Sequence, residues 1–121
     1  MATITELLKR EIAWREKDSA KWKAQLAENY VYYLSYVGED LWRNEFKLDW
    51  LRASLGDDET VSIVRGSILH YLAQLQDYIS RPYNVREEST GAIRRETAVW
   101  KYISSMELIE ILNRILNEKE N

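Results

Sequence analysis

The side chain best suited to acid–base chemistry in this sequence is its only histidine, His70. Histidine has an ordinary pKa near neutrality, so a proton-transfer step would pass through it. The chain contains no cysteine, which excludes thiol catalysis, disulfide frameworks and cysteine-ligated metal clusters. Any enzymatic hypothesis must therefore centre on His70 and its neighbours.

Arg65 precedes His70 in the segment RGSILHY. This spacing resembles the R-x4-6-H signature of the HEPN ribonucleases, small helical proteins in which the arginine and histidine of two subunits meet at a dimer interface. The resemblance covers these seven residues and implies RNA cleavage with Arg65 and His70 as catalytic residues. On a regular helix, however, five residues separate two side chains by about 140°. That angle favours the alternative, a surface histidine on the polar face of Ser67, Gln74 and Asp77.

No pattern predicts a metal or nucleotide site. Asp77 follows His70 by seven residues, about 10 Å along a helix, which is too far for a shared metal ion. The sequence has no Glu-x-x-His pair of the kind that binds di-iron centres, and no glycine-rich phosphate loop. The paired carboxylates at 39–40, 57–59 and 87–88 fall at helix starts or in a loop, where capping and solvation explain them. We expect no metal and no cofactor.

The only mildly basic part of the chain contains four arginines: Arg81, Arg86, Arg94 and Arg95. Nucleic-acid binding through them is a further alternative. The whole chain has a net charge of −3, whereas binding to a polyanion requires a positive field. Glutamates also lie among these arginines, so we do not expect nucleic acid to be the partner.

Aromatic residues make up 12% of the chain, with five tryptophans, eight tyrosines and one phenylalanine. The tyrosines between residues 30 and 36 cover most of a helix circumference, so one domain of this size cannot bury them all. Tyrosine and tryptophan favour interfaces, because an apolar body and a polar group both find partners there. Ordinary core packing is the main alternative, and stacking on nucleic-acid bases is a third, which the acidic surroundings disfavour. The predicted partner-binding residues are Tyr30, Tyr33, Tyr36, Trp42, Phe46 and Trp50.

Residues 1–38 are predicted to form one long first helix or two collinear ones. Thr3 begins this segment with the spacing of a capping box, and Gly38 is its predicted end. Unbroken, it would extend roughly 52 Å at 1.5 Å per residue, beyond the diameter of about 35 Å expected for a compact domain of this length. Arg15 and Ser19 interrupt the apolar stripe, because these polar residues occupy positions that are expected to face inward. We expect either a bend there or a helix end that projects toward another subunit.

A second helix is predicted over residues 39–55, with Gly56 as its end. The third helix is the clearest prediction, because apolar residues recur every three or four positions from Val61 to Ile79. The acidic run before it supplies an N-cap, and a proline soon after it prevents continuation.

Residues 82–91 are predicted to be the main loop. Residues 92–103 are ambiguous between a helix and one strand of a small β-hairpin around residues 84–100, and the periodicity favours the helix. A second capping-box pattern predicts a final helix over about 105–117, and the tail 118–121 should fray.

Length and periodicity together predict a single helical domain over residues 1–121, an all-α bundle of four to five helices. No apolar run reaches the roughly 18 to 20 residues that a membrane helix needs, so we expect a cytoplasmic protein. The aromatic residues favour a non-enzymatic protein–protein interaction module, an adaptor or regulator that forms a homodimer. The HEPN-like ribonuclease or toxin is the leading alternative.

Overall fold

Helices account for nearly all of the described chain. The computed structural model describes residues 1–81 and 92–118, the side chains of 92–96 excepted. The elements of these ranges are four α-helices: α1 (Ile4–Glu28), α2 (Tyr30–Leu55), α3 (Val61–Ile79) and α4 (Ala92–Glu118). No strand occurs in the same ranges. The predicted all-α bundle of four to five helices is confirmed.

Consecutive helices run in opposite directions. α1 and α2 form a hairpin in which Asn29 is the only residue between them. The starts of α1 and α3 lie at one end of the bundle, because the Thr5 hydroxyl donates to the Glu59 carbonyl oxygen at 2.9 Å. The end of α3 lies beside the first half of α4, where the Tyr102 hydroxyl donates to the Ile79 carbonyl oxygen at 3.3 Å. The arrangement is an up-down-up-down bundle.

The apolar core lies toward the end of the bundle that holds the starts of α1 and α3. All four helices contribute to it at spacings of three or four residues. Its members are Ile4, Leu8, Ile12, Leu48, Leu51, Val64, Ile68, Leu72, Leu75, Leu108, Ile111, Leu112 and Ile115. α3 has 19 residues and α2 has 26, so they extend about 28 Å and about 39 Å. The α1–α2 hairpin therefore reaches beyond the core.

The predicted first helix over residues 1–38 is wrong at its end. α1 stops at Glu28 because Asn29 leaves the helical conformation, with φ −153° and ψ 92°. The Asn29 side chain accepts a hydrogen bond from the Tyr32 amide at 3.2 Å, which caps the start of α2. Gly38, the predicted end, lies inside α2, where one glycine costs only about 1 kcal/mol relative to alanine.

The predicted cap of α1 and the predicted end of α2 are confirmed. The Thr3 hydroxyl accepts from the Glu6 amide at 3.1 Å at the start of α1. Gly56 ends α2 with a positive φ of 61°, a conformation that favours glycine. The predicted N-cap of α3 is not formed, because the side chain of Thr60 at that position makes no capping hydrogen bond. Asp58 Oδ1 instead accepts from the Thr60 amide at 2.9 Å, before the helix begins. Hydrogen bonds from the Thr60 side chain and amide hold the pKa of the Asp58 carboxyl below its usual value.

The predicted start of the final helix near residue 105 is wrong. α4 begins at Ala92 and continues through Ser104 and Glu107, the residues of the capping-box pattern. Neither side chain caps a helix, because Ser104 is fully buried and Glu107 pairs with Arg43 of α2. Both residues of this capping-box pattern make contacts with other helices instead of capping their own, and the local sequence does not indicate those contacts.

The ambiguous residues 92–103 are helical, as the periodicity favoured. The β-hairpin alternative is therefore wrong over 92–100. The rest of that hairpin, the predicted main loop 82–91, and residues 119–121 of the predicted frayed tail lie outside the described residues. In α4, the buried Ala98 is followed at helical spacing by buried Ser105 and the core residues, which accounts for the helix.

Candidate functional site

The far end of the α1–α2 hairpin contains no buried residue from position 20 to position 36. We call residues 20–36 the hairpin tip. Contiguous exposed apolar surface is uncommon on monomers and typical of association sites. Five large apolar side chains of the tip are exposed: Tyr30, Val31, Tyr32, Leu34 and Tyr36.

Three tyrosines of the tip form a cluster of contacting rings. The ring of Tyr32 contacts Tyr33 edge-on, with 5.0 Å between centroids, and Tyr36 at 5.3 Å. The Asn29 cap positions this cluster, because it fixes where the first turn of α2 begins. Side chains that already contact one another lose less conformational freedom when a partner covers them. The cluster is therefore suited to binding.

A groove of about 460 Å³ runs along the outer face of α2, from the tip toward the middle of the helix. Its α2 members recur every three or four residues and therefore share one helix face. Apolar residues form most of its lining, chiefly Leu26, Tyr30, Leu34, Gly38, Trp42 and Phe46. Glu45 and Asp49 lie at the end of the groove away from the tip.

Gly38 connects this groove to a second depression on the α4 side of α2. Leu34, Gly38 and Trp42 line both spaces, and Trp100 completes the second, which has about 480 Å³. A Cβ atom at position 38 would come within 3.1 Å of Leu34 Cδ1. A side chain at this position would therefore press on Leu34, which lines both spaces.

A continuous row of aromatic rings joins the groove to the neighbouring helices. Trp42 lies 5.8 Å from Trp100 and stacks on Phe46 at 5.6 Å, with 10° between the planes. Phe46 contacts Trp50 at 6.3 Å, and Trp50 contacts Tyr71 of α3 edge-on at 5.6 Å. Phe46 and Trp50 also pack against the core. The row thereby supports the outer face of α2 on α3, α4 and the core.

The six aromatic residues predicted to bind a partner form two groups, which the groove connects because Tyr30, Trp42 and Phe46 all line it. The three tyrosines of that set lie on the tip, whereas Trp42, Phe46 and Trp50 are half-buried members of the aromatic row. Sequence reasoning missed Leu34 and Gly38. The available signal was a glycine four residues from Leu34 and four from Trp42, since a glycine within an apolar stripe clears space between its neighbours.

A polar layer separates the core from the tip. Asn44 is buried, and its Nδ2 donates to the Arg15 carbonyl oxygen at 2.7 Å and to the Ser19 hydroxyl at 2.8 Å. Its Oδ1 accepts from the Arg15 guanidinium at 3.1 Å. Arg15 also donates at 3.2 Å to the buried carboxylate of Glu11, which pairs with Arg114. Arg15 and Ser19, which interrupt the apolar stripe of α1, thus form a polar joint with Asn44 of α2.

The polar layer continues to α4 through Glu107. Arg43 pairs with Glu107, and Lys47 Nζ lies 3.2 Å from the same carboxylate. Burial lowers the pKa of Lys47, and the charge of Arg15 adds to that lowering. Burial opposes ionisation of Glu107, but the hydrogen bond from Arg43 and the charge of Lys47 outweigh it and hold the pKa of Glu107 below its usual value. These mutually paired charges suit a structural joint.

The structure does not bring Arg65 and His70 together within one chain. His70 is exposed, and its Nε2 lies 2.8 Å from Gln74 Nε2. Arg65 is half-buried on the same uninterrupted helix, so the angular separation between the two side chains remains. No hydrogen bond links them within residues 1–81. The contact with Gln74 matches the polar-face interpretation of His70.

Of the four arginines considered for nucleic-acid binding, only Arg81 has a described side chain. It pairs with Asp77 at 3.1 Å, and the other three side chains lie outside the described set. Among the described residues, no group of three or more His, Cys, Asp or Glu side chains could hold a metal ion. No helix of the described ranges is long and apolar enough to cross a membrane.

Comparison of this chain with protein-family models, with curated proteins and with solved structures finds no match.

Proposed function

We propose that this protein is a non-enzymatic protein–protein interaction module, an adaptor or regulator, that forms a homodimer through its hairpin tip. The observation that carries the proposal is the exposed apolar surface of the tip, which extends beyond the core and has no buried residue. Self-pairing is the commonest way to cover such a surface, because one patch then buries two copies of itself.

The size of the exposed patch supports pairing between two copies. Tyr30, Tyr32 and Tyr36 are 60%, 56% and 66% exposed, and at roughly 200 Å² per tyrosine side chain they present about 360 Å². Val31, 86% exposed, and Leu34, 44% exposed, bring the patch to roughly 550 Å². Because these five side chains surround α2, the second copy has to contact more than one face of the tip. Burial of all five on both chains removes about 1,100 Å² from water, just above the roughly 1,000 Å² that a biological interface needs.

The charged groups support an interaction role in preference to a catalytic one. The buried ionic groups of the polar layer are paired with one another between α1, α2 and α4. His70, the side chain best suited to proton transfer, is exposed on α3 and contacts Gln74.

The proposal is tested by light scattering after size exclusion at micromolar concentration. The wild type should show about twice the chain mass of 14.4 kDa. The double variant Tyr32→Lys/Tyr36→Lys should show a single chain mass with an unchanged helical circular dichroism spectrum, because charges at the tip oppose pairing. Trp14→Lys is the matched control, since Trp14 is also 60% exposed but lies outside the tip.

A wild-type monomer across the micromolar range would overturn the proposed dimer. So would a folded double variant that remains dimeric. Loss of the dimer in Trp14→Lys but not in the tip variant would move the interface to the other end of α1.

A further inference from the structure

A small pocket at the end of the aromatic row has walls that suit an organic cation. It has a volume of about 170 Å³ and is lined by Asp49, Trp50, Ala53 and Tyr71. At about 30 Å³ per water molecule, this volume is close to that of a trimethylammonium group with its methylene. The pocket lies where α2 contacts α3, outside the hairpin tip. Its size therefore permits one such group.

The two aromatic walls of the pocket are perpendicular. The rings of Trp50 and Tyr71 lie 5.6 Å apart, with 86° between their planes. Two rings that line one space in this way can act on a single cation. Trp50 packs against the core and Phe46, and the ring of His70 contacts Tyr71 at 5.1 Å. Both walls are thus held in place before a ligand arrives, which lowers the cost of binding.

A carboxylate completes the pocket. Asp49 is exposed, and within the described part of the chain its carboxylate makes no hydrogen bond or ion pair. Arg52, three positions further along the same helix, pairs with Glu16 of α1 at 3.1 Å. A negative charge beside aromatic rings favours a cation over a neutral or anionic group.

The depression beside Trp42 and Trp100 lacks such a free charge. Glu39 lines it, but this carboxylate pairs with Arg43 at 3.1 Å. Its volume of about 480 Å³ also exceeds that of one ammonium group. The small pocket at Asp49 is therefore the better site for a cation.

We propose that this pocket binds the methylated ammonium group of a lysine side chain on a partner protein. The methyl groups contact the rings of Trp50 and Tyr71, and the positive charge lies beside Asp49. An unmethylated ammonium binds less well, because its strongly hydrated N–H groups find few acceptors here. A phosphocholine headgroup is also disfavoured, since its phosphate would approach Asp49 and none of the described residues that line the pocket is basic.

This inference rests on the proposed role in protein–protein interaction, but it does not rest on the dimer. Asp49 is 13 positions from Tyr36, which is about 20 Å along α2. The substitutions that test dimerisation therefore leave the pocket intact, and those that test the pocket leave the tip intact. The two proposals can fail separately.

The test is an NMR titration with N-acetyl-trimethyllysine methylamide as the probe, following the Trp50 indole and the Asp49 amide. The wild type should bind the probe with a Kd on the order of 1 mM, since two rings and one charge make the contact. The carbon isostere, in which a quaternary carbon replaces the nitrogen, has the same shape without the charge and should bind at least about tenfold more weakly. Unmethylated lysine and phosphocholine should each bind at least about fivefold more weakly.

Two substitutions separate the charge from the ring. Asp49→Asn should weaken probe binding about fivefold, whereas Asp40→Asn makes the same change at an exposed position on the opposite side of α2 and should leave it unchanged. Tyr71→Leu should weaken binding about fivefold, and Tyr71→Phe should stay within about twofold of the wild type because phenylalanine keeps the ring. Circular dichroism verifies that each variant is folded.

Several results would overturn the inference. Equal binding of the probe and its carbon isostere would show that apolar contact alone explains the pocket. Absence of saturation in the millimolar range, or equal losses in Asp49→Asn and Asp40→Asn, would also overturn it. Tighter binding of phosphocholine than of the probe would assign the pocket to a choline headgroup instead of a protein side chain. A dimeric wild type that does not bind the probe would remove this inference and leave the proposed dimer standing.

Discussion

Replacement of Asn44 by alanine tests the polar joint that holds the α1–α2 hairpin together. The Asn44 side chain is 4% exposed and makes three hydrogen bonds across the two helices, to the Arg15 carbonyl, the Arg15 guanidinium and the Ser19 hydroxyl. The substitution removes all three and leaves their partners in a space shielded from water. The joint connects the core to the tip, so its loss should weaken the whole hairpin.

The expected cost follows from the number of bonds. A buried hydrogen bond contributes about 1 kcal/mol net, so three bonds give a loss of about 3 kcal/mol in the free energy of unfolding. For a domain of this length, that loss corresponds to a fall in Tm of about 10 °C. It is a large fraction of the roughly 5 to 15 kcal/mol by which native domains are stable.

The assay is urea unfolding followed by helical circular dichroism, with two further variants. Asn117→Ala, at an exposed position of α4, should change the free energy of unfolding by less than about 0.5 kcal/mol. Asn44→Leu keeps a side chain of similar size without hydrogen bonds. It should be as unstable as Asn44→Ala because the Arg15 and Ser19 atoms that bind Asn44 lose that partner in both variants.

A loss below about 0.5 kcal/mol in Asn44→Ala would refute this account of the joint. Wild-type stability in Asn44→Leu would show that filling the space matters and that the hydrogen bonds do not.

Three further predictions concern stability. Leu72→Ala should cost about 2 to 5 kcal/mol in urea unfolding, because Leu72 is a core residue, whereas Leu69→Ala on the same helix should cost under about 1 kcal/mol, since Leu69 is exposed. Ser104→Ala should leave the free energy of unfolding unchanged or raise it, because the buried Ser104 hydroxyl has no hydrogen-bond partner among the described residues, and Ser105→Ala should lower it by about 1 kcal/mol through loss of the 2.7 Å bond to the Lys101 carbonyl. The lowered pKa of Glu107 means that this carboxylate stabilises the fold above its unfolded pKa of about 4.3 and ceases to do so as pH falls through the folded value. Glu107→Gln should therefore be less stable than the wild type in urea at pH 7, and a gap that stays constant down to about pH 3 would contradict the pairing with Arg43 and Lys47.

The elements that could be predicted from the sequence are those specified by local signals. α3 shows this, since apolar residues at every third or fourth position and a proline soon after the helix define both its face and its end. The Thr3 cap and the Gly56 terminus are equally local. Gly38 and Asn29 carry competing signals for the end of the first helix. The structure shows that the first helix ends before Asn29, whose side chain accepts a hydrogen bond from the Tyr32 amide and caps the next helix.

The candidate site is predictable in part for the same reason. Tyrosines that surround a helix cannot all be buried, so the exposure of the tip follows from spacing alone. The groove cannot be predicted from spacing, because its walls depend on which parts of α2 the other helices leave uncovered. Trp100 contacts Trp42 although the two residues are 58 positions apart in the sequence, and no local pattern indicates that contact. The polar layer could not be predicted from the sequence either. Arg15 and Ser19 interrupt the apolar stripe of α1, but Asn44, which binds both of them, lies on α2.

The most direct test of the central claim is a distance between the tips of two chains. The chain has no cysteine, so Val31→Cys introduces a single site for a spin label at an 86% exposed position of the tip. Helices in contact have axes about 10 Å apart, so pulsed dipolar spectroscopy should show an interchain distance within roughly 30 Å. A label at Asp57→Cys, at the opposite end of α2 and about 39 Å away, should give a longer distance. Absence of an interchain distance at Val31, or a shorter one at Asp57, would contradict dimerisation through the hairpin tip.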